Sequence, residues 1–330
     1  MKHYESLDPD VGLYDVIIVG AGPAGLACAI ECHRNNLQYL LIEKGCLANA
    51  IRNFPTNLIF FSTPDLLEIG NIPFIVASEK PTRADILEYY RRVAEHHNLA
   101  LRLYEPVISV SGAKPEITVT TAHNVYRCRH VVIATGQYDT PNLLQIPGED
   151  LPKVSHYYTE PHLFYRCNVA VVGGKNSAVE AALDLYRHGA KVTLIHRGDT
   201  FGKSVKYWIR PDIENRVKEG AIKALFNTVV KEIHEDHIVL QDGAAVPVKL
   251  ANDFVFALTG YRPDQRFLQS MGIRIGAGIT PGHNPDTLET NVPGIYIAGV
   301  ITVGSESSKV FIENSRHHGT QIVEHILNGR

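Results

Sequence analysis

Apolar residues run without a break through Val16-Ile17-Ile18-Val19 and give way at once to Gly20-Ala21-Gly22-Pro23-Ala24-Gly25. A short continuous apolar run ending in glycines predicts a strand buried on both faces that feeds a tight turn and a helix. The pattern recurs. Leu40-Leu41-Ile42 ends in Glu43, Val131-Val132-Ile133 in Ala134-Thr135-Gly136, and Val169-Ala170-Val171-Val172 in Gly173-Gly174-Lys175-Asn176-Ser177-Ala178. Val192-Thr193-Leu194-Ile195 then ends in His196-Arg197, and Phe254-Val255-Phe256-Ala257 in Leu258-Thr259-Gly260. Two blocks with the same internal order, each closed by a strand that runs into Thr-Gly, predict two nucleotide-binding units.

The remaining segments fit around those blocks. Residues 44–80 show little periodicity, as expected of a loop that wraps a ligand. Thr82 and Asp85 are spaced as a helix cap ahead of Ile86, Leu87, Tyr90 and Val93, predicting a helix to about His97. Alternation over 107–110, 116–121 and 124–128 predicts an antiparallel meander, and further strands are expected at 221–226, 229–233 and 238–240. Residues 291–300 read as a turn with a short buried strand, and 305–327 as a terminal helix. The expected fold is α/β: two Rossmann-like, three-layer dinucleotide-binding domains, one inserted in the other. Residues 1–144 with 261–330 would form the first domain and 145–260 the second, hinged near 142–146 and 260–263.

The spacing of Gly20, Gly22 and Gly25 suits a tight turn, close approach of backbone to a pyrophosphate, and packing of the helix on its strand. The anion would sit on a helix N-terminus, where free N–H groups and the helix dipole favour it. Glu43 ends the second strand of this unit, where a carboxylate accepts hydrogen bonds from ribose hydroxyls. In the second unit the corresponding place is His196-Arg197, a cation suited to a 2′-phosphate, with Lys203 and Lys206 shortly after and Lys175 in place of the second glycine. The second unit is therefore expected to prefer NADPH over NADH. Two nucleotides on one chain imply hydride passing from nicotinamide to a tightly held flavin, which assigns FAD to the first unit.

Composition narrows the rest. The 330 residues are 45% hydrophobic with a net charge of -3, which offers a core but no stripe for nucleic acid. Residues 1–13 are polar and acidic without an apolar signal region, and no run is long enough to span a bilayer, so a cytoplasmic protein without a membrane partner is expected. Five cysteines do not build a disulfide framework, and no Cys-x-x-Cys occurs. The sixteen histidines, including His317-His318, read as solvated or packing residues, and no metal site is expected.

Taken together, these residues resemble the flavoproteins of the thioredoxin reductase type, and among them the bacillithiol disulfide reductase branch. The resemblance rests on Gly20 to Gly25, Glu43, Asn53-Phe54-Pro55-Thr56, Phe60-Phe61-Ser62, Ala134-Thr135-Gly136, Gly173 to Ala178, His196-Arg197, Tyr296-Ile297-Ala298-Gly299-Val300 and Phe311-Ile312-Glu313-Asn314. It implies an FAD site of Gly20, Ala21, Gly22, Pro23, Ala24, Gly25, Glu43, Lys44, Asn53, Thr56, Val107, Thr135, Gly136, Gly299 and Val300. The FAD would be held from Gly299 onward by backbone N–H groups and by the dipole of a helix after Ser305. NADPH would be held by Gly173, Gly174, Lys175, Asn176, Ser177, Ala178, His196, Arg197, Lys203 and Gly260.

The resemblance also implies an NADPH-oxidising enzyme that works as a homo-oligomer, a dimer or tetramer, with rotation of one domain on the other. Its acceptor would be a low-molecular-weight disulfide. A small electron-transfer protein of the ferredoxin or flavodoxin kind is the alternative, and a nicotinamide-sensing flavoprotein a third reading. Two departures bear on mechanism. Thioredoxin reductases carry a Cys pair just before the second glycine turn, where this chain has Tyr157-Tyr158-Thr159-Glu160. The bacillithiol-type branch places a single Cys after the proline of the first turn, where this chain has Ala24, leaving Cys28 and Cys46 as the nearest candidates in sequence.

Overall fold

The first apolar run folds as β1 (Tyr14–Val19) in a computed structural model that describes residues 12–242, 247–306 and 309–329. Residues 1–11 of the polar N-terminal segment, and residues 307 and 308 of the expected terminal helix, lie outside the described residues. Two compact units emerge. One comprises Met1–Arg52, Asn57–Thr140 and Arg262–Arg330, the other Asn53–Thr56 and Pro141–Tyr261. Asn53 to Thr56, Pro141 to Leu144 and Tyr261, expected in the first domain, cluster with the second unit.

In the first unit β1 leads through its glycine turn into α1 (Pro23–Arg34), where proline suits the first helical position because it has no N–H to leave unpaired. β2 (Tyr39–Ile42) returns parallel to β1, followed by the four-residue α2 (Asn49–Arg52) and the longer α3 (Arg83–His96). Thr82 caps α3 as its spacing predicts. Asp85 N–H donates to Thr82 Oγ1 at 3.2 Å, and Thr82 N–H donates back to the Asp85 carboxylate at 2.8 Å. The buried stripe is Ile86, Tyr89, Tyr90 and Val93, with Tyr89 taking the place expected of Leu87.

β3 (Leu101–Arg102) extends the parallel sheet beyond β2, and β4 (Val107–Ala113), β5 (Glu116–Thr121) and β6 (Val125–Ile133) form the meander. The order is β3-β2-β1-β6-β5-β4. One expectation is corrected here: the third meander strand and the buried strand ending at Ile133 are a single strand. Its first half pairs antiparallel with β5 and its second half parallel with β1, so its burial changes midway from alternating to continuous.

The second unit starts with β7 (Val154–Ser155), β8 (Asn168–Val172), α4 (Asn176–Arg187), β9 (Lys191–Ile195), α5 (Arg210–Lys218) and β10 (Lys223–Leu225). β11 (Val229–Ile233), β12 (His237–Gln241), β13 (Val248–Ala251) and β14 (Phe254–Ala257) follow. The parallel sheet runs β10-β9-β8-β14-β7, and β11-β12-β13 form a separate antiparallel sheet. Ala178, Val179, Ala182, Leu185 and Ile213 pack on one face of the parallel sheet. Val230, Ile233, Ile238 and Leu240 of the antiparallel sheet cover the other, which makes three layers.

The chain then completes the first unit with α6 (Gln265–Ser270) and β15 (Ile295–Ile297), which lies parallel beside β6. A 3-10 turn, Gly299–Val303, follows directly. The expected helix over 305–327 is instead two pieces, α7 (Ile312–Ser315) and α8 (His318–Asn328). Phe311 N–H donates to Asn314 Oδ1 at 2.8 Å and opens α7 there, well after Ser305. α8 crosses α1 at Gly319, where a methyl group would stand 2.7 Å from the Ala27 carbonyl, so the two backbones touch. Among the described residues no helix is long and apolar enough to cross a membrane.

The capping pair is open to a direct test. Thr82 holds the Asp85 carboxyl below its ordinary range, first through the Thr82 hydroxyl and then through its N–H. A depressed carboxyl stabilises the fold above its unfolded pKa and loses that contribution as pH falls through the depressed value. Thr82→Ala is expected to lower unfolding free energy by about 1 kcal/mol near neutral pH. Urea titrations near neutrality and at about pH 3 should show the gap narrowing in acid.

Candidate functional site

The first glycine turn is built by close approach. Gly20 has φ +106°, and a methyl group on it would stand 2.5 Å from the Ala134 carbonyl, while one on Gly25 would stand 1.8 Å from the Gly20 carbonyl. Gly22 differs, because nothing lies within 4 Å of where its Cβ would be. The backbone is therefore packed behind the turn and open in front of it. Gly22 caps α1 without a side-chain bond, and the first turn of α1 carries no acidic residue. The unpaired N–H groups of that helix end are left for an anion.

Glu43 is fixed to the same turn. It is only 7% exposed; Ala21 N–H donates to Oε2 at 2.8 Å and Gly45 N–H to Oε1 at 2.9 Å. Burial pushes its carboxyl above the ordinary value against the pull of those two bonds. A carboxylate has about four acceptor positions, so two remain for a pair of vicinal hydroxyls. The cradle at Gly22 and the acceptor at Glu43 together fit an adenosine pyrophosphate.

Gly299 brings the far end of the chain to this place. It has φ +84°, and its Cβ would stand 3.0 Å from that of Ala24. Its N–H donates to His318 Nδ1 at 3.1 Å, and Thr302 Oγ1 donates to its carbonyl at 2.9 Å. The expected dipole of a helix starting after Ser305 is absent from the described residues, since none of those between Val303 and Ile312 is helical. The sequence alone gives His318 as a solvated or packing residue. Its only hint there is the neighbouring Gly319, which lets α8 reach α1.

Other expected residues fall at varied places. Pro23 opens α1, and Thr135 and Gly136 (φ +66°) follow β6 beside the Gly20 turn. Val300 is half-buried in the Gly299 turn. Lys44 pairs with Asp139 at 2.9 Å, which commits its charge. Val107 pairs with Thr121 in the meander and packs against the core cluster that contains Ile17 and Ile133. Asn53 and Thr56 belong to the second unit, where Thr56 N–H donates to the Thr159 carbonyl at 2.8 Å.

The second glycine turn repeats the construction at the end of β8. Gly173 has φ +150°, and its Cβ would stand 2.5 Å from the Leu258 carbonyl and 2.8 Å from the Ala178 methyl. Lys175 caps α4 without a side-chain bond, and Ser177 is exposed. Asn176 braces the turn, its Nδ2 donating to the Ser204 carbonyl and its Oδ1 accepting from Lys206 N–H, both at 2.9 Å. The His196 ring lies against Gly174, where a Cβ would be 2.5 Å away, so it walls the turn. Burial first, then the Arg197 charge, depresses its pKa.

Lys175, Arg197 and Lys203 are exposed and form no ion pair among the described residues, whereas Lys206 is committed to Glu180 at 2.6 Å. Gly202 N–H donates to the Gly174 carbonyl at 2.8 Å and brings the Lys203 loop to the turn. Gly260 has φ +94° and follows β14. This end of the sheet presents free cations where the first unit presents Glu43.

The thiols do not converge on the first turn. Cys28 is fully buried, and burial first, then Glu31, pushes its pKa up to about 12, so it stays an unreactive thiol. Cys46 is half-buried, with Sγ 3.5 Å from Asn49 Oδ1. At the place of a Cys pair before the second turn, Tyr157 stacks on Tyr261 at 5.7 Å and Tyr158 donates to Asp184 at 2.5 Å. No group of three metal-ligating side chains occurs among the described residues.

Residues 17–299 match the family of pyridine nucleotide-disulphide oxidoreductases. The chain is 43% identical over 312 residues to the bacilliredoxin reductase of Bacillus subtilis, covering 94% of this chain and 96% of that one. The bacillithiol disulfide reductase structure from Staphylococcus aureus superposes with a TM-score of 0.93 at 42% identity, covering 97% of this chain and 100% of that one. The corresponding Bacillus cereus structure gives 0.94 at 41% identity, covering 96% and 99%.

The contrast between Gly22 and Gly25 separates binding from folding. Gly22→Leu should leave the thermal midpoint within a few degrees of wild type while abolishing dinucleotide binding, because its side chain enters open space in front of the turn. Gly25→Leu should lose the fold of the first unit, because no side chain fits beside the Gly20 carbonyl. Scanning calorimetry and dialysis against the dinucleotide check both outcomes.

Proposed function

The chain belongs to the pyridine nucleotide-disulphide oxidoreductase family, and on that footing we propose that it is an FAD-dependent, NADPH-oxidising reductase of a low-molecular-weight disulfide of the bacillithiol type. The observation that carries the assignment of cofactors is the difference in charge between two like turns. At the end of β2 the buried Glu43 carboxylate suits the unmodified ribose of FAD; at the end of β9 Arg197, with Lys203 and Lys175, suits the 2′-phosphate and pyrophosphate of NADPH. The first unit would hold FAD and the second NADPH. The net reaction balances as NADPH, a proton and one disulfide giving NADP⁺ and two thiols.

Bound FAD supplies the two-electron relay between nicotinamide and acceptor. The chain's own part is to bind and orient: the α1 N-terminus and Gly22 seat the pyrophosphate, Glu43 the ribose, and the Gly299 turn closes on Ala24. Ala24 offers no sulfur, and Cys28 is sealed, so no mixed disulfide forms at the first turn. That same observation favours a second reading, delivery of electrons to a small electron-transfer protein. Five free cysteines fit a reducing cytoplasm.

An acceptor comparison decides between the two. Anaerobic protein given NADPH should turn over with bacillithiol disulfide, or with a bacilliredoxin carrying it, faster than with ferredoxin or flavodoxin; the reverse order would overturn the first reading. Arg197→Ala with Lys203→Ala should raise KM for NADPH about tenfold or more, by removing charge-assisted bonds to phosphate, and leave NADH kinetics nearly unchanged. Steady-state assays with both nucleotides measure it.

A further inference from the structure

The His318 ring bonds the backbone of the Gly299 turn, accepting from Gly299 N–H at Nδ1. We propose that His318 is a positioning residue whose neutral ring holds this turn in the shape that receives FAD, so that the grip on the cofactor depends on a hydrogen-bond acceptor at position 318; the inference rests on the reading that the first unit binds FAD. Three features of the fold deliver the ring. Gly319 lets α8 lie against the α1 backbone at Ala27 and Cys28. The Arg316 guanidinium donates to the carbonyls of Asp65 at 2.7 Å and Glu68 at 3.2 Å, which pins the link between α7 and α8. The Gly299 turn itself rests on Ala24 of α1. His318 is therefore held between the helix that would carry the pyrophosphate and the turn that would meet the rest of the cofactor.

The bond also sets the protonation state. Nδ1 accepts from Gly299 N–H, so the ring proton sits on Nε2 and the ring is uncharged. Burial first, then the neighbouring His283 and His317, pushes its pKa down to about 4, so the neutral form persists through the neutral range. The titratable groups that act on it are His283, whose Nδ1 bonds the Pro281 carbonyl, and His317 at the start of its own helix; on α1, which Gly319 meets at the backbone of Ala27 and Cys28, the Cys28 thiol is buried. A proton gained on Nδ1 as pH falls turns the acceptor into a donor facing Gly299 N–H, and the turn loses its tie.

The test compares His318→Asn, which offers Oδ1 as a replacement acceptor, with His318→Leu, which offers none. FAD dissociation is followed on the purified flavoprotein by recovery of free flavin fluorescence, and apo circular dichroism verifies that each variant is folded. His318→Leu should weaken FAD binding about tenfold, and His318→Asn should restore it to within about threefold of wild type. Wild type should release FAD faster as pH approaches about 4, and His318→Asn should lack that component while keeping any contribution from Glu43, which both proteins share. Wild-type affinity in His318→Leu, or equal weakness in the two folded variants, would overturn the proposal while leaving the flavoprotein reading intact. A wild-type protein that takes up no FAD would instead overturn the reading on which the proposal rests.

Discussion

The approach of Gly25 to the Gly20 carbonyl, too close for any side chain, is the constraint on which the first unit depends. It lets α1 begin directly over the end of β1, which leaves the helix N-terminus open at Gly22 and brings Ala21 N–H to the Glu43 carboxylate. That bond joins the ends of β1 and β2, so the same carboxylate that would bind ribose also sets the spacing of the two strands. The open face of the turn is thus a consequence of backbone packing before any side chain contributes specificity. Gly319 repeats the device on the other side of α1, where it admits α8.

The second unit shows how one skeleton accepts a different ligand. Gly173 and Gly174 reproduce the close approach, but the walls are the Ala178 methyl and the His196 ring. The carboxylate at the end of β2 has become His196-Arg197 at the end of β9. Lys206 answers Glu180, which leaves Arg197, Lys203 and Lys175 without intramolecular partners among the described residues. Unpaired cations beside an uncapped helix end repel one another unless an anion is present.

Much of this was legible in the sequence because it depends on local pattern. The glycine turns, the strands that precede them, the Thr82 cap and the acidic and basic strand ends are each written within about ten residues. What the pattern did not disclose depends on contacts between distant segments. β6 reads as two strands because its partner changes from β5 to β1 along its length. The terminal helix breaks at Phe311 and His317 because Asn314 caps the start of α7 and Arg316 is bonded to Asp65 and Glu68, some 250 residues away. The role of His318 at Gly299 follows from that break and from Gly319, and neither periodicity nor motif signals it.

The contact between Ala24 and Gly299 bears on why a thiol is not needed to explain the architecture. Their Cβ positions would lie 3.0 Å apart, so residue 24 is part of the seam that joins the α1 turn to the Gly299 turn. Ala24 is 9% exposed and presents a methyl group there, and the nearest thiol in sequence, Cys28, is wholly buried along the same helix. The polar groups this seam would offer a ligand are therefore backbone donors, and the Gly299 N–H among them is already tied to His318. Chemistry at such a site is set by how rigidly those donors are held, since a preorganised dipole acts without reorganising when charge arrives. In this chain the rigidity comes from glycines that permit contact and from one histidine that fixes the turn they create.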